Sequence, residues 1–337
     1  MNKFATMKIG DDVDFYALVE SSQKRYTPNK SAYYGITLSD GDTSIDARVW
    51  DVNLIEKNGV VPGTVFHFKA HINEYAGKAQ YVINGLEVPN ENEVNIKDFY
   101  RSAPITEEDL RTGIKNYIRK INNEVLKNLV VGLIAKVPDD YFVFPAATSM
   151  HHNYFNGLAY HTYSMLRMAD KYLEIYDGMN SDLLYAGILL HDIGKTKELT
   201  GPKAPLYTED GNLLGHIVIG LQMVAVEAAN QNVENTEEYK ALSHLIASHH
   251  GELEYGSPKE PGIMEAFALH FIDLADAKLA PISAEVLKTQ KGNSTAPIAS
   301  LNRKSVYVPN IKQQRSEEHT SELQSLPNLV CRLLREK

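Results

Sequence analysis

One cysteine, Cys331, and one tryptophan, Trp50, are all that the 337 residues hold of either type. A lone thiol excludes an intramolecular disulfide framework and any cysteine-based zinc site, which leaves histidine and carboxylate as ligands for a transition metal. Positive charge is also scarce. Lys plus Arg is 34 against 43 Asp plus Glu, a net charge of -9, so a broad electrostatic grip on a polyanion is excluded and local patches or metal ions must hold any nucleic acid. No apolar run approaches the ~20 residues that cross a bilayer, and the start MNKFATMKIGDD has no hydrophobic signal core, so a soluble cytoplasmic protein without a membrane partner is expected. Internal repeats and low-complexity tracts are absent as well. What is present is 43% apolar residues, enough for one large or two ordinary domains.

The last stretch, Arg315-Ser-Glu-Glu-His-Thr-Ser-Glu-Leu-Gln-Ser325, resembles the in-frame translation of a sequencing-library adapter, so residues 315–337 are read as an artefactual tail and set aside. Residues 1–88 read as short strands near Asp14–Ser21, Ala32–Ser39, Thr43–Trp50, Gly63–His71 and Lys78–Leu86, with a tight hairpin at Ser39-Asp40-Gly41-Asp42 and a turn at Ala76-Gly77. Five strands in so short a segment suit a small β-barrel of the OB type. Residues 89–104 are polar and aperiodic with prolines at both ends, the signature of a linker. Thr106-Glu-Glu-Asp109 then opens a helical pattern, with helices expected over 106–136, 157–176, 181–192, 215–231, 236–250 and 261–279. The fold class is therefore a multidomain α plus β chain: an N-terminal five-stranded OB-type barrel followed, over 105–314, by an all-α bundle.

Nine of the twelve histidines fall between His151 and His270, where the helices lie. Several polar residues there continue the apolar stripe of their helix. His161 shares a stripe with Leu158, Met165, Ala169 and Tyr172; His249 and His250 follow Ile246 by three and four residues; Asp273 is three after His270 and four after Leu269. A carboxylate buried among imidazoles is costly unless a cation compensates it, and helices converging with such residues make a dinuclear metal centre the economical explanation. His191-Asp192 close a helix of Leu183, Leu184, Ile188, Leu189 and Leu190, where the macrodipole disfavours a carboxylate and favours a cation beside it.

His161, His191-Asp192-Ile-Gly-Lys195, His216, His249-His250 and Asp273 resemble, in order, the H…HD…H…HH…D signature of the HD-domain metal-dependent phosphohydrolases. The phrases around them, Gly157-Leu-Ala-Tyr-His161-Thr, Gly215-His-Ile-Val-Ile-Gly220 and Ser248-His-His-Gly-Glu252 with Gly256-Ser-Pro-Lys259, are similar to the YhaM-type 3′-to-5′ exoribonucleases of Gram-positive bacteria, which also carry an N-terminal OB domain. The resemblance covers about residues 1 to 310. It implies that His161, His191, Asp192 and Asp273 hold one divalent ion and that His216, His249 and His250 hold a second, with Asp192 bridging. Which adjacent histidine serves which ion stays open. It further implies catalytic roles for Asp192 and for Lys195, whose ammonium would meet a non-bridging oxygen of the scissile phosphate, and places His151, His152 and Lys259 as candidate substrate or supporting contacts. Mixed imidazole and carboxylate ligation suits manganese and admits iron, cobalt, nickel or zinc.

An OB barrel binds single strands on its second and third strands and the flanking loops. The candidates are Lys24, Arg25 and Tyr26 in the loop between strands one and two, Tyr34 in strand two (one of Tyr33 and Tyr34 facing inward), Arg48 and Trp50 in strand three, and Tyr75 and Lys78 around the last turn. Residues 1–88 hold 9 Lys plus Arg against 11 Asp plus Glu, so affinity should be modest. The expected function is metal-dependent 3′-to-5′ hydrolysis of single-stranded RNA to nucleoside 5′-monophosphates, with single-stranded DNA as a second substrate and a homo-oligomer as an open assembly. Two rivals stand beside it: a phosphohydrolase of free or cyclic nucleotides, and a non-catalytic nucleic-acid-binding adaptor.

Overall fold

The computed structural model describes residues 4–41, 43–90, 93–94, 96–99, 103–146, 155–202 and 205–311. The chain divides into two compact units, residues 1–280 and 281–337. In the first, five strands come in sequence order: β1 (Asp12–Tyr26), β2 (Ala32–Ser39), β3 (Ser44–Val49), β4 (Val65–Tyr75) and β5 (Lys78–Glu87). They close into a barrel in the order β1-β2-β3-β5-β4, antiparallel except for the β3–β5 pair. Closure follows from alternation. Phe15, Ala17 and Val19 of β1, Ile36 and Leu38 of β2, Ala47 and Val49 of β3, Phe66, Phe68, Ala70 and Ile72 of β4, and Tyr81 and Ile83 of β5 all face one core. A bulge between Val19 and Ser21 lets the long β1 bend around it.

The barrel departs from the sequence expectation at two elements: β1 runs on to Tyr26, so Lys24, Arg25 and Tyr26, expected in the loop between strands one and two, are strand residues paired with Tyr34, Tyr33 and Ala32, and a helix appears after β3. A short helix α1 (Val52–Lys57), capped by Asp51 accepting from the Asn53 N–H, fills the connection between β3 and β4. Its single buried side chain, Ile55, gives too little periodicity for a pattern to register. Within the stretch read as a linker, Phe99 is buried against Leu18 and Val65 of the barrel.

Helices follow: α2 (Glu107–Lys120), α3 (Glu124–Lys136), α4 (Asp140–Val143), α5 (Gly157–Ile175), α6 (Ser181–Leu190), α7 (Lys195–Glu198), α8 (Glu209–Asn230), α9 (Glu237–Ser248) and α10 (Met264–Lys288). The single helix expected over 106–136 is two. Ile121 is extended and Asn123 caps α3 by accepting from the Leu126 N–H, so the Asn122-Asn123 pair breaks what the apolar periodicity joins. The second unit, as far as it is described, is not all helical: beyond Lys288, Ser294 bridges Tyr307 and Ile298 bridges Lys304.

α6 is the centre of the bundle. Every residue from Leu183 to Leu190 is buried, and α6 packs against α2, α3, α5 and α9. Side chains of all these elements, with Ile219, Met223 and Val224 of α8 and Leu269 and Ile272 of α10, form one core. By length and composition alone α8 could cross a membrane. It instead packs on α3, α7 and α9 and buries Glu227, which accepts from Lys136 and Gln231.

Candidate metal centre

Two helix ends present histidines by the same local device. The last carbonyls of a helix have no partner within it, and an imidazole N–H just past the end can supply one. His191, following α6, donates from Nδ1 to the Ile188 carbonyl at 2.8 Å; His249, following α9, donates from Nδ1 to the Ile246 carbonyl at 2.8 Å. Carbonyl oxygens only accept, so both rings carry their proton on Nδ1 and turn a bare Nε2 toward the space between the helices. His250 does likewise, donating from Nδ1 to the Tyr255 carbonyl at 2.9 Å.

His216 arrives differently. Gly215 inside α8 has φ 71° and ψ 160°, which interrupts the helix and frees the His216 backbone N–H. Glu198, buried in α7, accepts from that N–H at 3.0 Å and from His216 Nδ1 at 3.1 Å. The α7–α8 contact that makes this possible is closed to any side chain at Gly194, where a Cβ would lie 2.0 Å from the His216 carbonyl oxygen. His161, in the middle of α5, donates from Nδ1 to Asp276 Oδ2 at 2.7 Å, and its Nε2 lies 3.2 Å from Asp273 Oδ1.

Asp192 sits at the junction. Its Oδ1 is 3.4 Å from His216 Nε2 and 3.8 Å from His249 Nε2, whereas its Oδ2 is 3.3 Å from His191 Nε2, 4.0 Å from His161 Nε2 and 2.6 Å from Lys195 Nζ. Two groups of donor atoms result, His161 with His191 and Asp273, and His216 with His249 and His250, each with its atoms within 4.8 Å of one another. That is about the span across a single cation's coordination sphere. One carboxylate oxygen of Asp192 faces each group.

Electrostatics favours ligation at Asp192, Asp273, His249 and His250, whereas at His161 burial pushes the imidazole down but the hydrogen bonds and charges of Asp273 and Asp276 raise it to about 10, so an ion there must displace a proton. Burial pushes the Asp192 carboxyl up, but the Lys195 ammonium, His191 and His216 together hold it well below the usual carboxylate range. Burial likewise pushes Asp273 up, but the hydrogen bond with His161 and the charges of His161, His191 and His249 together outweigh that and lower it. Burial, and the neighbouring imidazoles, hold His249 and His250 below the ordinary histidine value, so both are neutral bases at pH 7. Among the described residues Asp192 Oδ1 and the Nε2 atoms of His191, His216 and His249 are buried side-chain atoms with no hydrogen-bond partner. Most buried polar atoms in folded proteins are satisfied, so four orphans converging on one point fit a bound cation.

The comparisons agree with this geometry. The family model for the HD domain matches residues 158–280, which span all seven of these residues. The 3′-5′ exoribonuclease YhaM of Bacillus licheniformis is 37% identical over 303 residues, covering 90% of this chain and 96% of that protein. The chain belongs to the YhaM family of 3′-5′ exoribonucleases. Its HD domain is the divalent-metal-binding part, held in the helices described above, and the closed barrel precedes it.

The remaining expected site residues divide. His151 and His152 lie outside the described residues, as does the 315–337 tail. Lys259 is exposed, and its charge acts on His244, whose Nε2 accepts from the Gly262 N–H. On the barrel, Arg48 lies over the rings of Tyr33 and Tyr75, at 5.8 and 5.6 Å, and Tyr33 packs on Trp50 at 5.0 Å. Lys78 is paired with Tyr75 across the β4–β5 turn. Tyr34 is drawn elsewhere: its hydroxyl donates to Glu56 Oε1 at 3.3 Å, the same oxygen that receives Lys24 Nζ at 2.8 Å. Tyr33 rather than Tyr34 therefore joins Arg48, Trp50 and Tyr75. Arg25 packs over Gly35, and Tyr26 is exposed.

Sequence reasoning passed over Glu198 and Asp276, and of the Tyr33–Tyr34 pair it kept Tyr34 where the structure favours Tyr33. Asp276 had a signal, being seven residues after Leu269 and four after Ile272 on the inward stripe of α10. Glu198 had none, because it lies on a one-turn helix and reaches His216 only through the kink at Gly215.

Proposed function

We propose that this protein degrades single-stranded RNA from the 3′ end to nucleoside 5′-monophosphates, using two divalent ions, manganese first among the candidates. His161, His191 and Asp273 would hold one ion and His216, His249 and His250 the other, with Asp192 shared. The observation that carries the reading is the pair of histidine groups facing the two oxygens of Asp192. When bound, two such ions supply Lewis acidity that neutralises phosphate oxygens and makes water a nucleophile at neutral pH.

The chain's own groups do the rest. His249 and His250 stay neutral through burial and keep their lone pairs available. Lys195, half-buried against Asp192, brings a cation to the edge of the cluster, where it can meet a non-bridging phosphate oxygen as negative charge builds. Trp50, Tyr33 and Tyr75 offer faces for bases, and Arg48 between them adds a cation for the backbone. A strand held there stays at high effective concentration for the metal centre, so long strands gain more from the barrel than short ones.

The test is incubation with 5′-labelled single-stranded RNA and DNA in manganese, beside Asp192→Ala. A ladder retreating from the 3′ end, lost in the variant, is the expected result. Immediate release of the label as mononucleotide would contradict the polarity. Intact strands together with consumed free nucleotides would favour the nucleotide hydrolase, and intact strands with no metal-dependent activity the adaptor.

A further inference from the structure

Among the five histidines of the cluster, three brace Nδ1 on a backbone carbonyl and two brace it on a carboxylate. The two exceptions are not in the same group. His161, backed by Asp276, belongs with His191 and Asp273; His216, backed by Glu198, belongs with His249 and His250. Each proposed ion therefore has one imidazole whose far side is tied to an anion. Both anions are buried, and each is fixed by a second donor: Ser164 Oγ donates to Asp276 Oδ1 at 2.5 Å, and the His216 backbone N–H donates to Glu198 Oε1 at 3.0 Å. An acceptor oxygen that is held in place holds the ring it accepts from, and an anionic acceptor makes the opposite nitrogen a stronger base than a carbonyl does.

We infer that Asp276 and Glu198 are positioning residues that act separately, Asp276 setting the affinity of the ion bound by His161 and Glu198 that of the ion bound by His216. Neither faces the space between the two groups, and neither is a ligand. Asp276 holds the α5 imidazole against α10, so the first site forms only when those two helices are packed. Glu198 does two jobs at once. It replaces the helical hydrogen bond lost at the Gly215 kink and it orients the ring of the residue that follows, so the second site depends on the α7–α8 contact. The inference rests on the two-ion reading above.

Asp276→Asn and Glu198→Gln keep the shape and an accepting oxygen but remove the charge. Manganese binding to the metal-stripped full chain is followed by titration calorimetry, with His161→Ala and His216→Ala identifying which binding step belongs to which group. The expected result is that each variant raises the Kd of one step by about 10–100-fold and leaves the other within about twofold: Asp276→Asn the step lost in His161→Ala, Glu198→Gln the step lost in His216→Ala. The metal-free melting temperature reports folding independently, and a purely structural role would lower it while leaving both Kd values unchanged. Two wild-type steps in both variants, or equal weakening of both steps by either one, would overturn the inference while leaving the two-ion reading intact. A wild-type chain that binds fewer than two ions would remove both.

Discussion

Gly194→Ala tests how closely the metal centre depends on backbone packing. A Cβ at this position would stand 2.0 Å from the His216 carbonyl oxygen and 2.8 Å from the Gly220 nitrogen, both backbone atoms that cannot rotate away. Real Cβ contacts do not fall below 3.0 Å, so α7 and the kinked part of α8 must separate by about 1 Å. That movement carries His216 away from Asp192 and pulls its N–H from Glu198, since both approaches cross the same contact. Overpacking of this kind costs about 1–3 kcal/mol of stability, and a misplacement near 1 Å at a catalytic group costs about 100-fold in rate. Gly220→Ala is the matched control, because a Cβ there meets nothing nearer than 3.6 Å and an alanine suits a helix interior better than glycine. The assay is manganese affinity and the rate of hydrolysis of 5′-labelled RNA, with the melting temperature alongside. Gly194→Ala is expected to lose activity by about two orders of magnitude while Gly220→Ala retains it. A Gly194→Ala protein with wild-type metal affinity and rate would refute the argument that this contact positions His216.

Three further outcomes are expected. Asp170 accepts from Tyr117 and Tyr185 at 2.7 Å each and from Lys120 at 3.1 Å; burial pushes its carboxyl up, but these donors win and hold it below its ordinary value. A lowered folded value means folding favours the ionised form, so the contribution is present above the unfolded value near pH 4 and fades as the pH falls through the folded one. Asp170→Ala should cost about 2–4 kcal/mol in urea unfolding at pH 7, and the difference from wild type should narrow as the pH approaches 3. On the barrel, Trp50→Ala should weaken single-stranded RNA binding by about 5–100-fold in a fluorescence titration, and dinucleotide hydrolysis should be unchanged. Tyr33→Ala should weaken it more than Tyr34→Ala, whose hydroxyl is occupied by Glu56; the reverse order would show that the strand lies on another face.

How much of this was legible beforehand varied with the range of the interaction involved. Alternation in Ile45, Ala47 and Val49 marked a barrel strand because the period of a half-buried strand is local. Six of the seven residues from His161 to Asp273 could be picked out because each continues an apolar stripe or closes an apolar helix, again a local property, whereas His216, just past the kink at Gly215, is reached only through the family signature. The break between α2 and α3 was missed because apolar residues on both sides stay in phase, so only the cap at Asn123 betrays it. The choice of Tyr33 over Tyr34 turns on Glu56, which lies in a helix the pattern did not reveal. The carboxylates behind His161 and His216 sit 115 and 18 residues away along the chain, and only the folded contact tells that they belong to the site.

The central claim is that one aspartate is shared by two histidine groups, each holding its own divalent ion. The most direct measurement is anomalous diffraction from crystals of the full chain grown in manganese. Two peaks are expected, one among His161, His191 and Asp273 and one among His216, His249 and His250, with Asp192 between them. A single peak, or peaks away from Asp192, would contradict the account.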